Sequence, residues 1–553
     1  KAVSSATFPP ESDKSRGATF PTDCMQLTNL LRTSFLTFAS CAVLATAKAQ
    51  STPPAASVTV KIDVSEELRS GAFSVDRFAT VPPNFKLEVY ARVSGARFMA
   101  VAPNGDLFVS LPWDGKVKVL QQQEDGSVVD HDFVDGLQRP HDIVFHKIGE
   151  TQYVYIAEKN QINRYTYSNG DTRGQNREVV VPDLPDESLP ELKGNYGHVL
   201  KNIALDSKHK LYVSIASTCN ACIEDTQSNP KRGAIYQYNA DGSGGRLFAE
   251  GLRNAEGLDF LPGTNDLWVT VNNRDNIAYP FEDGSGNYGK VIQDYVDDNP
   301  PEEFTYVRDG GNYGWPFCNP DPRQGMDNMG HIRDVQLNED GAVDCSGMDR
   351  ISKGIQAHSA PLGLLFTQNT KMPQPYRNGA LIALHGSWNR SKATGYKVIY
   401  FPWQNDKPGE QVDLVGGFLN SDSTEAYSRP VDIAIDPEGS LYISDDKAHV
   451  VYKLSYIGPL ASARQEELDR AVQVYPVPSA GDLKISVNGW KGREVRFILT
   501  NAQSANVLDE TRPIHSGENK LVLDTKRLAN GVYFLSIVSG DTRVVRRVVI
   551  QNG

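Results

Sequence analysis

A chain of 553 residues with 39% hydrophobic and 22% charged residues is long enough for more than one core and is not disordered by composition. Its net charge of −12 and pI near 5.4 exclude broad affinity for nucleic acid or anionic lipid, because counterion release needs a concentrated basic face. No stretch reads as a basic recognition helix, so no nucleic-acid partner is expected.

Residues 1–24 carry Pro, Ser and charge without periodicity and are expected to be disordered, with Met25 read as the true start. Residues 25–49 have the parts of a secretory signal peptide: Arg32, an apolar run from Ser34 to Thr46, and Ala47-Lys-Ala49 as a small-residue cleavage site before Gln50. That run is shorter than the roughly 20 residues a spanning helix needs, so no stable membrane span is expected. A lipid anchor at Cys41 is the alternative, but Phe38 fits such a box poorly. Export through the periplasm to the surface or the medium follows, and residues 50–80 read as a linker.

From 81 to 458 one unit recurs: an apolar strand, a turn built on Pro, Asp, Asn or Gly, and a second strand rich in β-branched and aromatic residues. Six copies are found, at Met99–Ser110, Asp142–Ala157, Ile203–Ser217, Gly257–Thr270, Gly363–His385 and Val431–Ser444. Their spacing of roughly 40–75 residues, with inserts on one side only, predicts four-stranded blades with loops of unequal length. The expected fold is all-β, a six-bladed β-propeller in which each blade buries its faces against its neighbours. The alternative is a β-sandwich or two smaller β domains.

Removal of the leader takes Cys24 and Cys41 and leaves Cys219, Cys222, Cys318 and Cys345. An even count in an exported chain favours two disulfides. Proximity pairs Cys219 with Cys222 and Cys318 with Cys345, and two other pairings stay open. A redox-active or zinc-binding Cys-x-x-Cys lacks its usual context here, since no βαβ unit surrounds it and no Cys-His partner pair sits at finger spacing.

Residues 459–471 read as a second linker with a polar, helix-like run at Ser462–Arg470. Short alternating strands then return at Leu483–Val487, Val495–Leu499, Lys520–Leu523, Gly531–Ile537 and Arg543–Ile550, which predicts a small β-sandwich over 472–553. Eleven basic residues against seven acidic ones from Val472 onward set it apart from the acidic remainder. Val474–Ser479, Leu528–Leu535 and the basic last strand resemble the C-terminal sorting domain of type IX secretion in Bacteroidetes, which implies the type IX machinery as a partner. A carbohydrate-binding or adhesion sandwich is the competing reading.

Six further motifs carry a second resemblance. Gly197-His198, the loop Ser217–Cys222, Leu252–Leu258, Val271–Asn276, Gly310–Pro316 and His385–Arg390 together resemble the glucose/sorbosone dehydrogenases, over about residues 82–457. The resemblance implies a propeller that uses pyrroloquinoline quinone with calcium to oxidise a sugar or a related alcohol or aldehyde. Hydride transfer to a quinone needs a base for the hydroxyl proton, and a neutral imidazole suits that role. His198 matches the family's base, while His141 is a second polar candidate and His358 and His385 also lie near motif ends.

A quinone with three carboxylates needs fixed cations, and Arg offers planar bidentate pairing. Arg253 and Asn254 match the family's cofactor-binding pair, with Arg390 and Arg429 as further cations. Asn273 and Arg274 stand where backbone carbonyls hold calcium, and hard oxygen ligands suit that ion. Gly310–Pro316 shapes a turn in which Trp315 is an apolar wall. Glu256 stands where the glucose-oxidising relatives have a glutamine, and the register puts Leu137 or Gln138 where they carry another near the second blade, which leaves the sugar open. No Cys-x-x-Cys-His haem motif is present, so the electron acceptor is expected to be a separate molecule. Two other functions stand beside this one: a calcium-dependent lactonase-like hydrolase, and a non-catalytic propeller that binds glycan or protein.

Overall fold

Continuous apolar runs are what a strand needs when a neighbouring blade covers each of its faces. The second strand of several blades is such a run: Leu107–Leu111, Leu267–Val271, Gly379–Leu384 and Leu441–Asp445 are buried throughout. Outer strands such as Gln175–Val181 face solvent and carry polar residues. The computed structural model describes residues 56–458, 471–490, 494–501, 505–515, 517–539 and 542–552. The expected disordered segment with Cys24, the signal peptide with Cys41, and the polar run at Ser462–Arg470 lie outside the described residues.

Six sheets form the ring, antiparallel except for a short parallel pair at the edge of the third, where Ala249 meets Gly311. The first four blades start at Met99–Val101, Ile143–Ile148, Asn202–Leu205 and Ala255–Phe260, and the fifth at Pro361–Phe366. The last blade starts at Pro430–Ile435 and takes its outer strand, Phe85–Arg92, from the beginning of the propeller, where Val89 pairs with Tyr452. This exchange closes the circle between the two ends of the chain. Each inner strand touches the next all the way round. The fourth blade is the widest, a six-stranded sheet that adds Ile351–Ile355, Asp327–Arg333 and Cys318–Asp321 to its first three strands.

A carboxylate fastens alternate blade pairs. Asp142 accepts a hydrogen bond from the backbone N–H of Ile203 at 2.8 Å, Asp259 from Phe366 at 3.0 Å, and Asp432 from Met99 at 2.8 Å. Each acceptor lies on one inner strand and each donor on the next. Glycine permits the same closeness: a Cβ at Gly363 would lie 2.0 Å from Asp432 Oδ1, and one at Gly257 would lie 2.4 Å from the carbonyl of Leu362.

Within the segment read as a linker, Val58–Lys61 pairs with Phe78–Val81. Ile62, Phe73, Ala79 and Val81 are buried there against Val415, Phe418 and Tyr452. Both disulfides form as proximity suggested, Cys219–Cys222 and Cys318–Cys345.

After the propeller two sheets share one core. Val472–Tyr475, Asp482–Asn488 and Glu518–Asp524 make the first. Asn506–Pro513, Glu494–Asn501, Gly531–Ser539 and Thr542–Ile550 make the second. Leu483, Ile485, Val495, Phe497, Leu535 and Ile537 meet between them. The alternation read from the sequence is seen directly in Asp482–Asn488, where Leu483, Ile485 and Val487 point inward.

Candidate functional site

In an antiparallel blade the turn between the first two strands lies at one end. The loop after the second strand and the connection to the next blade return to the other end. His198, Arg253 and Arg429 precede first strands, whereas Asn273, Arg274 and Arg390 follow second strands. All therefore stand on one face of the ring.

The centre of that face is organised around Arg253, which is 5% exposed. Its guanidinium donates to the carbonyl of Asn220 at 3.0 Å, to Asn220 Oδ1 at 3.0 Å and to the carbonyl of Asn272 at 3.2 Å, and it pairs with Asp275 at 3.3 Å. Asn220 also grips the neighbouring loop, since its Nδ2 donates to the carbonyl of Asp275 and its Oδ1 accepts from the Asp275 N–H, both at 2.8 Å. Trp315, buried, donates to the carbonyl of Asn220 at 3.2 Å. Asn220 lies inside the four-residue ring closed by Cys219–Cys222, so the disulfide holds the clamp on Arg253.

His198 sits against the same loop. Its Nδ1 lies 2.9 Å from both the carbonyl and the hydroxyl of Ser217, and that hydroxyl donates onward to the carbonyl of Cys219 at 2.9 Å. Both contacts are therefore acceptors, so Nδ1 carries the proton and the lone pair is on Nε2. Burial, helped by the charge of Arg253, lowers its pKa to about 3.

The other imidazoles of this face are committed. Arg429 donates to His385 Nδ1 at 2.9 Å, and His385 Nε2 faces Asp446 at 2.9 Å. Burial lowers the pKa of His385 to about 4, with Arg97 and Arg429 acting in the same direction against Asp446. His358 Nε2 meets the carbonyls of Val296 and Asn299 at 2.7 and 3.1 Å, and its Nδ1 faces Asp275 at 3.5 Å. Burial opposes its charge, but Asp275 and Glu302 outweigh that and raise its pKa. His449 accepts from the Gly95 N–H at 3.4 Å. His141 is fully buried against Phe98, beside the backbone of Lys201 and the side chain of Asn202.

The remaining expected residues divide. Asn254 donates to Glu256 Oε1 at 3.0 Å, while Glu256 Oε2 is buried without a partner. Burial raises the pKa of Glu256 and favours its neutral form, against Arg97 and Asn254. Arg390 reaches the carbonyl of Ala357 at 3.4 Å and Asp298 at 3.5 Å. The Arg274 side chain turns to Asp334 and Gln336. Asn273 spends its amide on the carbonyl of Pro301 and on Glu303, and its N–H donates to Glu302 Oε2 at 2.6 Å.

Sequence reading missed two residues with central roles. Asn220 appeared there only as part of a quoted loop. Arg97 binds Asp446 at 2.9 Å and lends its charge to the surroundings of His141, Glu256 and His385. A signal for Arg97 existed, because Arg97, Arg139, Lys201, Arg253 and Arg429 all stand just ahead of first strands.

The donor set suits an anion. Arg97 Nε and Asn389 Nδ2 are buried on this face with no acceptor among the described residues. Among the described residues none donates a hydrogen bond to the backbone carbonyls of Asn273 and Arg274, which leaves them available to a hard cation beside Glu302. Among the described residues no group of three or more His, Cys, Asp or Glu side chains is placed to hold a metal.

The TrAA12-like family model matches residues 79–456, and the model of the secretion system C-terminal sorting domain matches residues 473–551. An uncharacterized protein of Borreliella burgdorferi is 25% identical over 389 residues, 68% of this chain and 90% of that protein. The pyrroloquinoline quinone-dependent pyranose dehydrogenase of Coprinopsis cinerea is 24% identical over 251 residues, which cover 39% of this chain and 31% of that enzyme. Among solved structures, the calcium structure of the Trichoderma reesei carbohydrate-active enzyme of family AA12 has a TM-score of 0.56 at 20% identity, over 68% of this chain and 97% of that one. The holo pyranose dehydrogenase quinone domain of Coprinopsis cinerea gives 0.54 at 20% identity over the same shares. The propeller fold of this protein is theirs, and the chain belongs to the TrAA12-like family, with a secretion system C-terminal sorting domain behind its propeller.

Proposed function

We propose that the protein is a secreted dehydrogenase that oxidises a sugar or a related alcohol or aldehyde with pyrroloquinoline quinone, His198 being the general base. The observation that carries this reading is the tautomer of His198, with Nδ1–H bound to Ser217 and the Nε2 lone pair uncommitted beside the buried Arg253. Pyrroloquinoline quinone, when bound, supplies a hydride acceptor. Arg253, Asn254, Arg390 and Arg429 would hold its carboxylates and carbonyls, joined by Arg97. Glu256 would stand beside the quinone, with its Oε1 held by Asn254. The carbonyls of Asn273 and Arg274 would hold calcium.

His198 takes the hydroxyl proton of the substrate at Nε2 while Ser217 fixes the ring orientation, and the low pKa keeps that nitrogen unprotonated before the reaction. The buried guanidinium of Arg253 stabilises negative charge. Electrons leave to a separate acceptor, and residues 472–553 direct export through the type IX machinery. In this reading 459–471 is the linker between the two functions. A lactonase-like hydrolase would instead use side-chain carboxylates and asparagines around its metal.

The reading is tested by dye-linked oxidation of a panel of sugars and polyols, with and without added quinone and calcium. Activity that requires both supports it, and quinone-independent release of acid from lactones would replace it with the hydrolase.

A further inference from the structure

Burying a tryptophan is among the largest single apolar gains a fold can make, so an indole left in water asks for a reason. Of the six tryptophans, Trp268, Trp315 and Trp490 are buried and Trp403 is half-buried, whereas Trp388 is 73% and Trp113 is 67% exposed. These two are not scattered. Trp113 follows the second strand of the first blade and Trp388 follows that of the fifth, so both stand on the face that carries His198. They belong to the blades on either side of the last one.

The loop after the second strand of the last blade lies between them. A cavity of about 500 Å³ is lined there by Trp388, Arg429, Asp446, Lys447 and His449. Trp113 stands outside that lining and borders it through His449, whose Nδ1 accepts from the N–H of Gly95, since a Cβ on Gly95 would lie 3.9 Å from Trp113 Cδ1. The guanidinium of Arg139 lies 5.0 Å from the Trp113 ring, which braces the indole at the rim.

We propose that this cleft is a carbohydrate groove for sugar rings beyond the one oxidised, which makes oligosaccharide chains the preferred substrate class. The inference rests on the sugar dehydrogenase reading above. A pyranose ring has an apolar C–H face and an equator of hydroxyls. Two exposed indoles suit the faces, and a floor of Asp446, Lys447 and His449 suits the hydroxyls with both donors and acceptors. Arg429 belongs both to this cleft and to the His385 network, which ties the cleft to the proposed quinone site.

The test compares kcat/KM for a tetrasaccharide with that for its monosaccharide on the quinone-loaded full chain, in the β-1,4-glucan, α-1,4-glucan and β-1,4-xylan series. Intrinsic tryptophan fluorescence follows binding of the same sugars to the quinone-free chain. The expected result is a ratio of about tenfold or more in at least one series, which falls toward one in Trp388→Ala and in Trp113→Ala and is largely kept in Trp388→Phe. A ratio near one in all three series, or one that neither alanine variant changes, overturns the groove. Chain-length-dependent fluorescence binding without turnover of any sugar keeps the groove and overturns the dehydrogenase reading, and monosaccharide turnover with a ratio near one does the reverse. No binding and no turnover overturns both. A Trp388→Ala defect confined to reduction of a protein acceptor overturns the groove and gives this face to the acceptor.

Discussion

At His198 two acceptors on one side of the ring decide the chemistry on the other. With Nδ1–H fixed by Ser217, only Nε2 remains to take a proton, and a pKa of about 3 keeps it free across the working range. The acid limb of kcat/KM is therefore expected well below the 6.5 of an ordinary imidazole, and an inflection near 6.5 would assign the base elsewhere. Asn220 acts one step back, as the acceptor that places Arg253. Asn220→Ala removes Oδ1 from Arg253 and from the Asp275 N–H, and it is expected to weaken quinone binding about 10–100-fold, in line with about 1.5–3 kcal/mol for hydrogen bonds to a charged group. Titration of the quinone absorbance measures this, and unchanged affinity would leave Asn220 a purely structural residue. His198 and Arg253 were legible because they sit in motifs. Asn220 was not, since its role depends on a loop, an arginine and an aspartate 55 residues away meeting in space.

The elements were legible where burial is two-sided. The apolar second strands and their turns gave the blade count directly, because a strand covered on both faces cannot hide its composition. The closing strand Phe85–Arg92 was not, since its partner Val450–Tyr456 lies at the other end of the propeller and pairing at that separation leaves no local pattern. The wide fourth blade escaped for the same reason. The recurring Asp in Asp142-Ile, Leu-Asp259-Phe and Asp432-Ile was visible as a repeat, but its work as a clasp between blades appears only in the assembled ring. Asp432→Ala leaves the Met99 N–H buried without an acceptor and is expected to destabilise the propeller by about 1–3 kcal/mol. The denaturant midpoint measures the loss, and an unchanged midpoint would show that the ring holds without the clasp.

Across the whole molecule, buried carboxylates set the response to pH. Burial raises the pKa of Glu302 to about 7, of Glu303 to about 8 and of Asp432 to about 7, far above their values in an unfolded chain. Between about pH 4 and 8 the native state therefore holds more protons than the unfolded one, and these groups make stability fall as pH rises through that window. Burial lowers His198 to about 3 and His331 and His385 to about 4, which makes stability fall as pH drops below 6.5. From 6.5 to 8 these three carboxylates, joined by His358 with its raised pKa, outweigh Lys201, which burial lowers to about 7, so the metal-free protein is expected to lose thermal stability over that range. Glu302 accepts from the Asn273 N–H beside the loop proposed for calcium, and a cation there favours the ionised carboxylate. Added calcium is expected to raise Tm more at pH 8 than at pH 5, and equal shifts would place the ion elsewhere.

The most direct test of the whole account is an anaerobic single turnover, in which the quinone-loaded protein is mixed with sugar and the spectrum of the oxidised quinone is followed. The wild-type protein is expected to lose that spectrum stoichiometrically, while His198→Ala binds quinone and reduces it about 10²–10⁴-fold more slowly. Bound quinone that no sugar reduces, or reduction by His198→Ala at the wild-type rate, would contradict it.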